Sequence, residues 1–502
     1  MTHISKSALS AAAILLSTTA ISADITADQV WEDWQKSLVQ YGDTIDTGSA
    51  DRTGDTLRVT GVSATTTDDQ TEMLIRFPDM SLREMGDGTV SVTMDTDYII
   101  TFTDNSPFSE FDEMRMSVGQ QAFLMTVSGS PEEMNYDLSA DSMTFSIDEI
   151  RDGEDVFELI ADFTLNDISG TYLVTPGGTR RVEQDVTAET AVIDVDIQDP
   201  QGSGRFIVDG TINNLVMDGL SNMPDDLDMA DPNSLFADNV TINGGYRFDD
   251  ANYTFSFEEG SDTASGSMTS GGGQMSLEMG GNTMRYEGEA QDLAVNVQSS
   301  ELPIPVELDM ASYGYAFEMP VAQTEEPADF ELGLSFSEFS MSDLLWNMFD
   351  PGEALPRDPA TVAFDLTGTM SWLFDIMDPE QSQEMMMAET PVELYEVNLN
   401  NLLVQAVGAR LTGDGAFTFD NTDLETFDGM PRPLGSINFN LEGANGLLDT
   451  LVSMGLLPED QAMGARMMMG MFAVPGEGED TLTSTVEVND EGHVLANGQR
   501  LR

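Results

Sequence analysis

Apolar and polar residues alternate with a period of two along most of this chain, in short runs separated by turn residues. Leu57 and Val59, residues 73–77, the set Val90, Val92 and Met94, residues 98–102, the set Met114, Met116 and Val118, residues 123–127, and the set Met143, Phe145 and Ile147 form such runs. Asp87-Gly88, Gly119 and Asp152-Gly153 punctuate them. A period of two is the repeat of a strand with one buried face, and short runs joined by turn residues read as an antiparallel meander. Long amphipathic helices do not alternate with these strands, as a doubly wound or α/β barrel fold would require. The expected fold is mainly β, with extended, curved antiparallel sheets, an N-terminal helix and short C-terminal helical caps.

The helical exceptions sit at the ends. Residues 24–42 read as an opening helix: Thr26 and Gln29 fit a capping box, Val30, Trp31, Trp34, Leu38 and Tyr41 share one face, and Gly42 stands at the stop. In the C-terminal part, Ser342-Asp343 opens a short apolar helix over 344–349 that stops at Asp350-Pro351-Gly352, and residues 371–377 suggest another before Asp378-Pro379. Residues 447–457 and 458–472 read as a helical pair, and 482–488 turn through 489–492 into a last strand at Val494-Leu495. Glycine-rich residues 260–281 are read as strands with small side chains, because Met275, Leu277 and Met279 still alternate. Proline and charge at 320–328 mark a boundary, giving a β-rich lobe over 24–319 and a second over 320–502.

One phrase recurs: an apolar residue, three residues, Gly, four residues, then Leu or Met. Its glycines are Gly129, Gly210, Gly288, Gly368 and Gly443, spaced 81, 78, 80 and 75 residues apart. Regular spacing is the mark of duplicated units, and a chance recurrence among 44 glycines is the alternative.

Composition narrows the function classes. The chain has 502 residues, 90 acidic against 19 basic, for a formal charge of -71, and no cysteine. Without thiols there are no disulfides, iron–sulfur clusters, Cys-ligated zinc or thiol nucleophiles. Only His3 and His493 occur, which argues against a Ser–His–Asp triad or a multi-histidine metal site. The charge repels nucleic acid, so no nucleic-acid partner is expected. Lys6 and Lys36 are the only lysines, leaving 17 arginines. A hydrophobic content of 40% argues for a folded core.

Residues 1–23 carry Lys6, an apolar stretch over 8–16 and small residues leading to Ala23, the pattern of a signal peptide cleaved after Ala23, with the Thr18-Thr19-Ala20 stretch as an alternative. No later run is long and apolar enough for a membrane-spanning helix. The expected location is the periplasm.

The candidates for chemistry each have a plainer reading. The 33 methionines cluster at 385–387 and at Met463, Met467, Met468, Met469 and Met471. Met463, Met467 and Met471 share a helical face, which suits core packing, a pliable apolar ligand surface or Cu(I) ligation. Three acidic groups stand out: Asp225, Asp226, Asp228 and Asp231; Asp194, Asp196 and Asp199; and Asp420, Asp423, Glu425 and Asp428. None has the twelve-residue calcium-loop pattern, so each reads first as a solvated acidic loop or strand face. His493 reads as a turn residue beside Gly492. Gly271-Gly272-Gly273 lacks the basic partner and following helix of a phosphate loop. No catalytic, metal or cofactor residue is assigned.

Several stretches carry a family likeness: Met348-Phe-Asp-Pro-Gly352, Leu355-Pro-Arg-Asp-Pro-Ala360, Leu411-Thr-Gly-Asp-Gly-Ala-Phe-Thr-Phe-Asp-Asn421, Phe427-Asp-Gly-Met-Pro-Arg-Pro433, Gly455-Leu-Leu-Pro-Glu-Asp-Gln-Ala-Met463 and Gly492-His-Val-Leu-Ala-Asn-Gly498. With Val30-Trp31 and Trp34, the chain resembles the alphaproteobacterial periplasmic domain-of-unknown-function family twenty-one twenty-five. That resemblance carries no catalytic or ligand residues. The ending also loosely resembles AsmA-like envelope proteins, which are β-rich and linked to lipid handling.

The functional expectation is a non-enzymatic periplasmic envelope protein that shelters a hydrophobic, lipid-like ligand. An acidic interaction module stabilised by salt or divalent cations, and a carboxylate-based hydrolase with two carboxyls about 5 to 9.5 Å apart, are the alternatives.

Overall fold

The computed structural model describes residues 24–502 apart from 39–43, 68–69, 105, 107–110, 154, 158, 200–201, 203, 225–226, 228–231, 238, 322, 324–325, 377–378 and 389. The leader expected over 1–23, the expected helix stop at Gly42 and the group Asp225, Asp226, Asp228 and Asp231 lie outside the described residues.

Helix α1 (Ala27–Leu38) begins as its capping pattern predicts. The Thr26 N–H donates to Gln29 Oε1 at 3.0 Å, and the Gln29 N–H donates back to Thr26 Oγ1 at 3.3 Å. These bonds satisfy backbone donors that the first helical turn leaves without partners.

Every described strand belongs to one 30-stranded sheet, and every pairing in it is antiparallel. It starts as two branches that meet on β1 (Glu133–Asp152). One runs through Ser49–Thr53, Thr56–Thr60, Met80–Glu84, Val90–Met94 and Leu124–Ser130 to the first half of β1. The other runs through Thr44–Asp46, Ser63–Thr67, Thr71–Arg76, Tyr98–Asp104 and Glu113–Gln121 to its second half.

From β1 the sheet continues in chain order. The next strands are β2 (Leu159–Thr175), β3 (Thr179–Gln198) and β4 (Arg205–Pro224). Strands β5 (Thr241–Phe248) and β6 (Asp250–Glu259) lie end to end along β4, and β7 (Asp262–Ser270) and β8 (Gly272–Gly280) lie end to end beyond them. Then follow β9 (Thr283–Ser299), β10 (Val306–Pro320), β11 (Ala328–Met341), β12 (Ala360–Trp372), β13 (Val392–Ala406), β14 (Ala409–Asp420), β15 (Arg432–Glu442) and β16 (Thr481–Val488). With the end-to-end pairs counted once, that is fourteen rungs. At a strand spacing of about 4.8 Å they extend over roughly 65 Å.

A crease crosses the rungs from β1 to β11. Asp167 on β2, Asn214 on β4, Asp292 on β9 and Glu338 on β11 have φ of 50°, 53°, 47° and 53°. The pairing places them in one line with Asp141 on β1, Glu189 on β3, Asp249 between β5 and β6, and Gly271 between β7 and β8. Register is unchanged across the line: Ala140 faces Ile168 and Ser142 faces Asn166, so both partners take one residue out of the ladder together. The alternation therefore slips by one. On β3 the apolar set is Val182, Val186 and Ala188 before Glu189, then Ala191, Ile193, Val195 and Ile197 after it.

The side chains at the crease are exposed, whereas Ala140, Leu165, Ile168, Ala188, Ala191 and Leu215 on either side of it form one buried cluster. The sheet thus bends with its apolar face inside. Asn and Asp populate the left-handed region more readily than most residues, and a glycine pair supplies the corner between β7 and β8. A second core lies under α1, where Val30, Trp31 and Leu38 pack on Leu57, Val59, Leu82, Val90, Val92, Met134 and Tyr136.

Several expectations change. Ser371 and Trp372 complete β12 opposite Glu393 and Val392, so no helix occupies the described residues 371–376; a helix follows as α3 (Pro379–Met387), with proline in its favoured first position. Strands β10 and β11 pair from Glu318 with Glu331 to Leu308 with Met341, so the sheet runs straight through the compositional boundary at 320. The recurrent glycine phrase falls on unlike structures. Gly210 and Gly288 precede the crease, Gly129 ends a hairpin strand opposite Met134, and Gly443, at φ 73°, caps a helix. Gly210, Gly288 and Gly368 lie beneath a ring of a neighbouring strand and Gly129 and Gly443 do not, so the five positions do not share one structural setting.

Other readings appear as expected: the strands over 260–281, the terminal hairpin, α2 (Asp343–Phe349), and the pair α4 (Ala444–Ser453) and α5 (Glu459–Phe472). The α4 N-terminus is capped by Asp480, which accepts the N–H groups of Asn445 and Gly446 at 3.2 and 2.9 Å.

Candidate functional site

The inside of the bend is a trough. Cross-strand pairs keep it apolar from rung to rung: Val186 with Met217, Met217 with Tyr246, Tyr246 with Met275, Tyr315 with Leu334, Leu334 with Phe364 and Phe364 with Leu402. On the other side of the crease the same holds for Ile193 with Phe163, Val208 with Phe255, and Val295 with Leu308. By alternation with the crease slip, the paired Glu259 and Asp262 fall on the trough side at the strand ends of β6 and β7, and on the inner rungs Arg180 is a charged side chain on that side. It lies beneath α1, bonded to Asp33.

Aromatic rings pave this face by lying over glycines of neighbouring strands. Tyr253 covers Gly210, Phe255 covers Gly266, Phe248 covers Gly273, Tyr315 covers Gly288, Phe330 covers Gly368 and Phe439 covers Gly413; a Cβ on any of these glycines would stand within 3 Å of the ring. Tyr286, Tyr313, Tyr315 and Phe336 continue as a ring cluster with centroids 5.1 to 5.9 Å apart. Burial, with Tyr286 beside it, holds the Tyr315 phenol well above its ordinary pKa.

Helices close both ends of the trough. α1 lies on the first rungs, over Met134, Tyr136 and Val174. At the far end, Ser484 Oγ on the trough side of β16 donates to the Phe472 carbonyl that ends α5, as does Asn497 Nδ2 at 2.9 Å. Between these ends the apolar residues are mostly half-buried, and some, such as Phe206 and Leu332, are exposed at 40% and 42%. No second layer of the described residues covers them.

The opposite face is polar. One row across the sheet is Asp137, Thr171, Asp185, Asp218, Gly245, Ser276, Glu287, Ala316, Gly333 and Asp365. These residues line a groove of about 1220 Å³ that reaches from Ser128 to Asn401. Its carboxylates have basic partners nearby: Arg285 contacts Glu287, Glu318 and Glu331 at 3.0, 2.8 and 2.9 Å.

The residues singled out in the sequence are dispersed. Asp194 and Asp196 stand on the outer face of β3, with Asp196 bonded to Arg205 Nε at 2.8 Å. Asp199 is a loop residue whose N–H donates to the Gly204 carbonyl. Asp420 and Asp423 converge on Arg432 at 3.1 and 3.2 Å, and Asp428 pairs with Arg502 at 2.9 Å, while Glu425 is exposed beside them. The Thr422 and Thr426 hydroxyls, with neighbouring N–H groups, hold Asp420 and Asp423 below the usual carboxylate range. This is an arginine-centred turn. Among the described residues no group of His, Asp or Glu is arranged to hold a metal ion. His493 lies in the terminal turn, its Nδ1 3.1 Å from Glu491.

The clustered methionines of α3 and α5 are not core, unlike Met80, Met134 and Met370. Met463, Met467 and Met471 on α5 are 64%, 68% and 57% exposed, and Met386 and Met387 on α3 are more so. The packing reading of the α5 face fails because only Ala462 of that helix is buried.

Residues 247–500, just over half the chain, match a family described as an uncharacterized protein conserved in bacteria (DUF2125). The chain belongs to that family. The DUF2125 match begins at the end of β5 and takes in the later rungs of the trough and the closing helices, while α1 with its tryptophans lies outside it. No curated protein and no solved structure is significantly similar to the chain.

The feature that strand-by-strand reading missed is the crease. Its signal is present as a one-residue slip in alternation at an Asp, Asn, Glu or Gly, recurring in successive strands.

Proposed function

We propose that this protein is a non-enzymatic envelope protein of the periplasm whose trough shelters the acyl chains of a lipid. The observation that carries the reading is an apolar face that continues from rung to rung, has charged side chains only towards its margins and is only half-buried between its ends. An apolar surface of this extent, rimmed by polar residues, is what a hydrophobic ligand site provides, and monomeric soluble proteins rarely leave one uncovered. The leader pattern over 1–23 supports export, and the exposed methionines of α5 offer an adaptable lip at the closed end.

The test is native mass spectrometry with lipid extraction on protein purified from its own periplasm. Co-purified acyl-chain lipid at near-stoichiometric amounts is the expected result. Lipid-free protein that also fails to take up lipid from vesicles would overturn the reading.

A further inference from the structure

We infer that the trough selects lipids whose headgroup carries no net negative charge, and specifically zwitterionic phospholipids with an outward ammonium group. This rests on the reading of the trough as an acyl-chain site and adds the headgroup class to it. The trough side offers a headgroup phosphate no available cation among the described residues: Arg180 lies under α1, where both guanidinium nitrogens Nη1 and Nη2 are taken by Asp33 at 2.9 and 2.8 Å. A lipid whose tails lie against this face must therefore place its headgroup at the rim, where the strands end.

The rim is acidic. At the outer ends of β3, β4, β6 and β7 stand Asp196, Glu258, Glu259 and Asp262 against Arg205, and that guanidinium is already held by Asp196 through Nε at 2.8 Å. On the neighbouring end of β1, the Arg151 guanidinium is engaged by Glu149. A phosphate arriving here meets few free donors and several carboxylates, on a chain of formal charge -71. A headgroup ammonium meets complementary charge. Because these groups are exposed, the discrimination acts through solvent and is screened over about 10 Å at 0.1 M salt and about 3 Å at 1 M.

The experiment uses the delipidated full chain with vesicles of phosphatidylethanolamine and phosphatidylcholine, or of phosphatidylglycerol, with identical acyl chains, and reads bound lipid by native mass spectrometry. At low ionic strength the zwitterionic lipids should load about tenfold more than phosphatidylglycerol, and the ratio should fall toward one near 1 M salt. The double variant Glu258→Lys with Glu259→Lys, both exposed and remote from the two cores, should narrow the low-salt ratio while circular dichroism stays unchanged. Equal loading of both lipid types at low salt, or a preference indifferent to salt, overturns the headgroup inference and leaves the trough reading standing. Failure to load any lipid overturns both.

Discussion

The Arg180 guanidinium at the start of β3 donates two hydrogen bonds to the carboxylate of Asp33 on α1, at 2.9 and 2.8 Å, across 147 residues of sequence. Both side chains are largely buried, at 14% and 8% exposure, and the pair clamps the helix over the first rungs of the trough. Removing one member of a buried pair strands the other charge, at a cost of about 3–5 kcal/mol, whereas replacing both by apolar residues of similar size is close to neutral. Asp33→Ala should therefore lower the chemical-denaturation stability by about that amount, and the double variant Asp33→Leu with Arg180→Met should recover most of it. A single variant as stable as the parent would show that water reaches the site.

Beside that pair, burial pushes the Tyr136 phenol up to about 12, opposed in part by the hydrogen bond from Trp34 Nε1 at 3.1 Å. A raised value in the folded state means that the contribution is fully present below the unfolded value of about 10 and is lost as pH rises through 12. Alkaline titration should show a late tyrosinate absorbance step that Tyr136→Phe reduces by one phenol, Tyr315 still contributing to it, together with reduced pH dependence of stability over that window. Titration of all tyrosines in one step near 10 would contradict the buried placement.

The crease makes a conformational demand at single positions. Asn214, at φ 53°, tolerates the left-handed region; valine there should destabilise by about 1–2 kcal/mol, while glycine should be neutral or better. Thermal denaturation of Asn214→Val and Asn214→Gly distinguishes this from a simple loss of side-chain hydrogen bonding, which would weaken both. Asn214 donates to Asp249 at 2.9 Å, so both variants lose that bond equally.

The aromatic paving predicts intolerance of even a methyl group. At Gly368 a Cβ would meet the Glu396 carbonyl oxygen at 2.0 Å and the Phe330 ring at 2.6 Å, whereas at Gly178 it would meet nothing within 4 Å. Gly368→Ala should cost about 1–3 kcal/mol in denaturant unfolding, and Gly178→Ala should be nearly silent. Similar effects at the two sites would argue that the sheet shifts freely to make room.

Asp350, which ends α2, is held below the usual carboxylate range by the N–H groups of Ala354 and Leu355, each 2.9 Å away. With a depressed folded value, its contribution is present above the unfolded pKa of about 3.9 and is lost as pH falls through the folded value. Melting temperature measured from pH 6 down to 2 should show a smaller acid loss for Asp350→Asn than for the parent. Parallel curves would mean that other carboxylates govern acid unfolding.

Much of the architecture was legible because it is local. The capping box of α1 is written in Thr26 and Gln29, the α2 stop in Asp350-Pro351-Gly352, and the strands in their alternation. The helix expected over 371–377 failed because an apolar run beside Trp372 suits a strand end as well as a helix, and only pairing with β13 chose between them. The site was legible only in part. Candidate residues were sought as clusters, and the structure scattered them into ion pairs and turns, while the site it offers is a whole face with no distinctive residue.

Alternation by itself determines that this chain builds antiparallel sheet, and charge determines which side of it faces water, because both follow from each residue's own preference for solvent. Which strands become neighbours, and that the slips at Asp167, Asn214, Asp292 and Glu338 fall into one line, depend on pairing between residues far apart in the chain. That alignment turns the separately amphipathic strands β1–β11 into a single bent face, and only the tertiary structure could supply it.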